Sequence, residues 1–379
     1  MEILTMNRLT NNDIIPKINL VVSKLMHLGE IDFNNDKTAS KESLKKGLIA
    51  RDFGIKEWDW PQGVGLYGLI SLQQFHEDSR FDAFLEEWFL NNIEIGLPSK
   101  NINTTAPYLA LLDYGIRKDN QIYLNLCYER AQWLMNDLPK TTEGGFQHVT
   151  SAIGDRNGII LNEEELWVDT LFMAVLFLNK MGHHYNRKDW ISEANNQLLI
   201  HIKYLYDTKT SLFYHGWTFK ERSNFGEIFW CRGNSWFTFG LLEFLETSDL
   251  TLDEGLKTFF LDTFKAQALA LKHLQSSSGL WHTVLDDPTS YEEVSGSAAI
   301  AKGFLKGVKL GILDNSYETS AYQAIECICE NIAIDGTVLQ VSAGTGMGMD
   351  ADHYKNILTV PMAYGQSLVL VALSEALKK

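Results

Sequence analysis

One carboxylate stands out among the side chains that could do chemistry. Glu165-Leu166-Trp167-Val168-Asp169-Thr170-Leu171-Phe172-Met173 opens a stretch that is apolar on nearly every side as far as Leu178, and Asp169 is its only ionisable residue from Leu166 onward. A helix that is apolar all round is a buried helix, so the pattern predicts a buried helix over Leu166–Leu178 with Asp169 inside it. Burial penalises the charged form of a carboxylate and raises its pKa. That is the condition a general acid needs near neutral pH. The structural alternative makes Asp169 a helix cap or the partner of an arginine, as most buried carboxylates are paired.

Other segments carry side chains suited to the same site. Trp58-Asp59-Trp60-Pro61 and Asn103-Thr104-Thr105-Ala106-Pro107 each lead into an apolar helical stretch, and Gly144-Gly145-Phe146-Gln147-His148 precedes that of Asp169. Phe213-Tyr214-His215-Gly216-Trp217 and Phe229-Trp230-Cys231-Arg232-Gly233-Asn234-Ser235-Trp236 flank a fourth. Trp and Tyr rings offer flat faces to sugars, and an arginine can hold a carboxylate by its two-pronged fork. Asp169 is the candidate proton-transfer residue. Trp60, Asn103, His148, His215, Trp230, Arg232 and Trp236 are the candidate substrate contacts. Each ring is equally at home in a core and each histidine in a structural hydrogen bond, so the mixture points to a site more than any one member does.

Other chemistries find little support. Gly344-Thr345-Gly346-Met347-Gly348 follows no strand and lacks the Lys-Ser/Thr of a phosphate loop. His183-His184 has no carboxylates at metal-ligand spacing, and Ser295-Gly296-Ser297 lacks the strand-turn-helix context of a nucleophile elbow. Neither a metal nor another cofactor is expected.

The elements that must position these residues are helical almost throughout. Strongly apolar helices are predicted to begin near Trp60, Thr105, Leu166, Gly233, Tyr291 and Val360. More polar, amphipathic helices lie at Asn12 to Leu28, Ser79 to Ile95, Asn120 to Asp137, Arg187 to Tyr206, Leu252 to Gln275 and Ser316 to Ile334. The repeat averages about sixty residues, a helical hairpin with long loops. Six of each kind predict an all-α fold, an (α/α)6 barrel with the apolar helices as the inner ring. Pro61, Pro107 and Pro361 fall in the predicted first turns of three inner helices, where proline's missing N–H costs nothing. Only Gly145–Val149 and Ser211–Trp217 read as hairpin edges. No Pro/Gly/Ser-rich linker divides the chain, so one domain over 1–379 is expected. The loops before the inner helices should gather at one end and form a cleft.

Composition agrees with a sugar-binding globule. Aromatics are 12% of the residues, with 10 Trp and 14 Tyr, enough for a ring-lined cleft as well as a core. A net charge of −15 argues against nucleic acid and anionic membranes as partners. The start of the sequence reads as no signal peptide, and no apolar run reaches the length of a membrane span. Cys127, Cys231, Cys327 and Cys329 form neither a zinc spacing nor a disulfide framework, so a reducing, cytoplasmic location is expected. A monomer or weak homo-oligomer is the expected state.

From about Trp58 onward the chain resembles the unsaturated rhamnogalacturonyl hydrolases, glycoside hydrolase family 105. The resemblance rests on Trp167-Val-Asp169-Thr-Leu-Phe-Met173, Trp230-Cys-Arg232-Gly-Asn234-Ser-Trp236, Gly279-Leu-Trp-His282-Thr-Val-Leu-Asp-Asp287 and Tyr291-Glu-Glu-Val-Ser-Gly-Ser297, in this order. It implies the (α/α)6 barrel and a substrate with a Δ4,5-unsaturated uronic acid at its non-reducing end, left by a polysaccharide lyase. It further implies cleavage by hydration of the vinyl ether: an acid protonates C4, water adds at C5, and the hemiketal opens and frees the neighbouring sugar. The general acid/base of the family corresponds to Asp169. His215 and Arg232 correspond to positions that contact the uronate or assist the water, and Trp230 to a sugar-contacting ring. One departure is Asn103, which stands where many members have a second aspartate. A standard glycosidase needs two carboxylates, whereas hydration of an enol ether needs one acid/base, so Asn103 fits hydration. It leaves open whether the leaving sugar is rhamnose or that of another, ulvan-type fragment. A sugar epimerase or isomerase on the same toroid, and a non-catalytic sugar-binding protein, are the alternative readings.

Overall fold

A computed structural model describes residues 9–29, 40–73, 79–248 and 252–377; the expected domain span of 1–379 runs beyond them at both ends. Twelve helices alternate in packing. The odd-numbered set is α1 (Asn11–Met26), α3 (Ser79–Ile95), α5 (Gln121–Asn136), α7 (Lys188–Leu205), α9 (Glu254–His273) and α11 (Asn315–Glu330). The even-numbered set is α2 (Trp60–Gln73), α4 (Ala106–Lys118), α6 (Leu176–His184), α8 (Cys231–Ser248), α10 (Val294–Lys309) and α12 (Ala363–Ala376). α2 buries every residue from Pro61 to Ile70 and α12 every residue from Ala363 to Ser374. α7 buries only a stripe of Trp190, Ala194, Gln197, Leu198, His201, Ile202 and Leu205. Helices that bury every face must be enclosed, and those with one apolar stripe cover them from outside.

The inner helices meet in a closed cycle: α2 packs on α4, α4 on α6, α6 on α8, α8 on α10, α10 on α12, and α12 back on α2. This is the predicted (α/α)6 barrel. Side chains cap several outer helices, with Asn120 accepting from the first-turn N–H groups of α5, Asp253 from those of α9 and Asp314 from that of Ser316 on α11. None of the described helices is long and apolar enough to cross a membrane.

Three local expectations are corrected. Glu165–Trp167 is extended, not helical. It forms strand β1, antiparallel to β2 (Gly216–Thr218), with Glu165 opposite Thr218 and Trp167 opposite Gly216. The helix begins later, with a π-turn at Leu171–Val175 that runs into α6. Asp169 therefore sits in the turn between strand and helix, where its neighbours are set by a strand from a distant part of the chain. The segment Gly145–Val149 is a loop bridged only at Phe146, and the strand lies just after it at Thr150–Ser151. Pro107 does occupy the first turn of α4, but α12 starts at Ala363 with Met362 as its cap, leaving Pro361 ahead of the helix.

Candidate active site

At the N-terminal ends of the inner helices the loops surround a cavity of ≈ 400 Å³. Its wall includes Trp60, Asn103, His148, Asp169 and Trp230 among the expected residues, together with Arg51, Asp52, Trp167 and the Gly344–Met347 loop.

The β1–β2 ladder brings the central pair together. Its register continues one step past the strands, where Val168 N–H donates to the His215 carbonyl at 2.9 Å. His215 Nε2 thereby lies 3.3 Å from Asp169 Oδ2. The approach is close enough for a charge contact but falls outside hydrogen-bond geometry, so both atoms retain bonding capacity. Gly216 is required for this closeness, since a Cβ there would stand 2.8 Å from the Leu166 carbonyl on the paired strand. The other oxygen of Asp169 accepts from Trp236 Nε1 at 3.1 Å.

A relay fixes the histidine. The Gly348 N–H donates to the Tyr354 hydroxyl at 3.3 Å, and that hydroxyl lies 2.7 Å from His215 Nδ1. A hydroxyl that donates to Nδ1 would set the proton of a neutral imidazole on Nε2, the nitrogen facing Asp169.

These contacts correct the expected electrostatics. Burial pushes the Asp169 carboxyl up, but the His215 contact, with further help from His148 and Arg232, outweighs it and holds the group below the usual carboxylate range. Asp169 is therefore favoured as a carboxylate and must gain its proton before it can act as an acid. His148 goes the other way. Burial drives its pKa down to about 3, so the ring is neutral. Its Nδ1 is 2.7 Å from the Thr170 hydroxyl, and its face stacks on Trp167 with centroids 4.4 Å apart. Nε2 is left for the cavity.

The remaining expected residues separate into wall and backing. Asn103 is half-buried on the wall and its side-chain amide has no hydrogen-bond partner among the described residues, so that amide is available. Trp60, backed by Tyr364 at 4.6 Å between centroids, shares the wall with it. Trp230 lies on the wall but is only 1% exposed, leaving little face for stacking. Trp236 is fully buried and serves Asp169 by its N–H rather than a sugar by its face. Arg232 is also fully buried. Its Nη1 donates to the Ser295 hydroxyl at 3.3 Å, to the Ser342 carbonyl at 3.1 Å and to the Ser342 hydroxyl. Its Nη2 donates to the Ala343 carbonyl at 3.1 Å and the Thr345 hydroxyl at 2.8 Å. Glu293 Oε1 lies 3.8 Å away. The guanidinium thus pins the loop that forms one wall of the cavity, and its fork is occupied.

Two segments that carry the family resemblance lie outside the wall. His282 bonds the Ser290 carbonyl at 2.7 Å, and Ser295 and Ser297 are spent on Glu293 at the start of α10. Among the described residues no group of three or more His, Cys, Asp or Glu side chains is arranged to hold a metal ion.

The family model described as Glycosyl Hydrolase Family 88 matches residues 38–379. The chain belongs to the family 88 and 105 glycoside hydrolases. It is 31% identical over 354 residues to the unsaturated rhamnogalacturonyl hydrolase YesR of Bacillus subtilis, covering 93% of this chain and 98% of that protein. It is 32% identical over 340 residues to an unsaturated 3S-rhamnoglycuronyl hydrolase of Formosa agariphila, covering 86% of each. The solved structure of a possible GH105 member from Salmonella enterica superposes with a TM-score of 0.89 at 36% identity, over 97% of this chain and 94% of that one.

The site of this glycoside hydrolase also contains residues that the sequence did not single out. Trp167, the last residue of the strand before Asp169, is on the cavity wall with it. Tyr354, on the short helix Ala351–Lys355, and Asp52, in the 3-10 turn Ala50–Asp52, carry no local signal at all.

Proposed function

We propose that this glycoside hydrolase removes a Δ4,5-unsaturated uronic acid from the non-reducing end of lyase-generated oligosaccharides by hydrating its vinyl ether, with Asp169 as the acid/base. The observation that carries the reading is a carboxylate on the cavity wall held from both sides, Oδ1 by the Trp236 Nε1–H and Oδ2 by the close approach of His215 Nε2. Such a group has a fixed orientation.

The chemistry follows from that geometry. An arriving uronate adds negative charge beside Asp169 and raises its proton affinity, so substrate binding itself loads the acid. Asp169 gives the proton to C4, and the electrons of the C4–C5 double bond form the new C–H bond. Water adds to the resulting cation at C5 and returns its proton to Asp169. The C5 hemiketal opens to a ketone, the ring oxygen leaves C5, and the hemiacetal at C1 releases the next sugar. The net change is the addition of one water. Neutral His148, with Nε2 toward the cavity, is suited to holding that water, and the Asn103 amide to a sugar hydroxyl.

The expected leaving unit is a rhamnosyl sugar, in line with the names of both curated relatives. The reading includes action as one domain, supported by the cycle of inner helices that closes between α2 and α12. It includes a cytoplasmic location, supported by four free cysteines. The decisive experiment follows loss of the alkene's ultraviolet absorbance with unsaturated pectic, ulvan and glycosaminoglycan disaccharides. Absorbance that persists with all of them overturns the proposal.

A further inference from the structure

Asp52 and Asp59 flank Arg51 but are treated differently by the fold. The carboxylate of Asp59 is saturated: Oδ1 accepts from the Trp60 N–H at 2.8 Å, Oδ2 from the Ser151 hydroxyl at 2.7 Å, and Arg51 Nε is 3.2 Å from Oδ2. Arg51 spends Nη1 on the Ala152 carbonyl and Nη2 on that of Ser151 at 3.1 Å. Asp52 receives only the more distant charge of Arg51 Nε, at 3.9 Å. It is 3% exposed and lines the cavity, yet its carboxyl has no hydrogen-bond partner among the described residues. A buried carboxyl without partners is costly, and a site wall is where a ligand can supply the missing donors.

The surroundings say what kind of donor fits. A Cβ built on Gly344 would stand 2.5 Å from Asp52 Oδ2 and 3.9 Å from Trp60 Cζ2, so carboxyl, bare backbone and indole edge form one contiguous patch. An acidic acceptor beside a half-buried ring suits a sugar ring presenting a hydroxyl. We infer that Asp52 is a specificity-determining, substrate-contacting residue, whose carboxyl accepts a hydrogen bond from a free hydroxyl of the sugar lying against Trp60 and rejects a sugar bearing an anionic ester at that hydroxyl. This deepens the proposed function and rests on it. Asp52 supplies from the turn before α2 a carboxyl that Asn103 does not supply before α4. The charged groups that act on it are Arg51 and Asp59. Burial, opposed by Arg51 and reinforced by Asp59, lifts its pKa to about 7.

The test measures steady-state kinetics of full-length wild type, Asp52→Ala and Asp52→Asn on unsaturated disaccharides, including analogues deoxygenated one position at a time. For the parent disaccharide, Asp52→Ala should raise KM by roughly 10- to 100-fold, the value of a hydrogen bond to a charged group, with kcat changed less than about threefold. Asp52→Asn, which keeps an acceptor, should recover part of that loss. One deoxy analogue should give the same KM with wild type and Asp52→Ala, a coupling that a purely structural role would not produce. A sulfate at that position should be excluded by wild type and tolerated better by Asp52→Asn. Unchanged KM, a fall in kcat alone, or an equal loss with every analogue overturns the assignment. If wild type consumes no unsaturated disaccharide, the proposed function fails. The residue is then judged by calorimetric binding of the same disaccharides to Asp169→Asn protein. Weaker binding after adding Asp52→Ala supports it, and equal binding overturns it.

Discussion

The two ends of the barrel treat buried polar groups in opposite ways. Along the C-terminal halves of the inner helices, five helices contribute to ion pairing, Asp113 from α4, Lys180 from α6, Glu243 and Glu246 from α8, Lys302, Lys306 and Lys309 from α10, and Glu375 from α12, and Tyr67 of α2 joins them by a hydrogen bond. Most donors and acceptors there match within the protein, with Gln73 Oε1 at the end of α2 left over. Glu243 takes Lys306 at 2.7 Å and the Tyr67 hydroxyl at 2.8 Å, and Lys302 bonds Glu375 at 2.6 Å. At the N-terminal ends, Asp169 Oδ2, His215 Nε2, Arg51 Nε, Arg232 Nε and the Tyr291 hydroxyl are buried without hydrogen-bond partners. A network closed on itself holds helices in place. One left incomplete around a cavity is organised for a visitor.

Mutations should separate the two ends cleanly. The largest effect is expected for Asp169→Asn: kcat on an unsaturated disaccharide should fall by about 10²- to 10⁴-fold, with little change in Tm. Near-normal turnover would remove Asp169 from the acid/base role. Glu243→Gln should do the reverse, because it leaves Lys302 and Lys306 short of a buried counter-charge. Denaturant unfolding should show a loss of about 3 kcal/mol, while kcat of the folded protein stays within about twofold.

The same variant has a pH signature. Burial raises the Glu243 pKa, but Lys302 and Lys306 overcome this and bring it to about 2. Its folded value is below its unfolded one, so its contribution is present above about pH 4.5 and is lost as pH falls toward 2. Glu243→Gln should flatten that acid limb of the stability profile.

Asp52 should show the opposite sign. Its folded pKa of about 7 exceeds the ordinary 3.8. Stability then declines as pH rises from about 4 to about 7, as the buried group is forced to ionise. Asp52→Asn should therefore stabilise the protein above pH 7 by on the order of 1–3 kcal/mol and have less effect at pH 5. Unfolding curves at the two pH values check this. The smallest effect is expected for Tyr354→Phe, which removes the hydroxyl that orients His215. It should lower kcat/KM by about fivefold, and an unchanged value would show that the ring packing of His215 suffices.

Much of the barrel was legible because its signal is local. Helices apolar on all faces alternate with striped ones, and that periodicity survives without knowledge of partners. Asp169 was legible as a residue but not as a conformation. Its strand exists because Gly216–Thr218 pairs with it, and the local apolar pattern reads equally well as a helix. The direction of its pKa was missed for the same reason, since His215 becomes its neighbour only through that pairing. Arg232 was visible as a cation in the right segment, but its engagement depends on Ser342, Ala343 and Thr345, far along the chain. Asp52 gains meaning only when Gly344 packs against it.

The closure of α12 on α2 has a consequence for synthesis. Trp60 rests on Tyr364, and the Ser367 hydroxyl bonds the Val64 carbonyl across the same seam. A nascent chain that has reached α10 already carries Asp169, His148, His215 and Arg232. It still lacks the Gly344 loop that covers Asp52 and the helix that backs Trp60. Such long-range closure is slow, and until it happens the unfinished ring exposes the apolar seam faces of α2 and α10. On the ribosome, this enzyme is therefore an aggregation risk before it can be a catalyst.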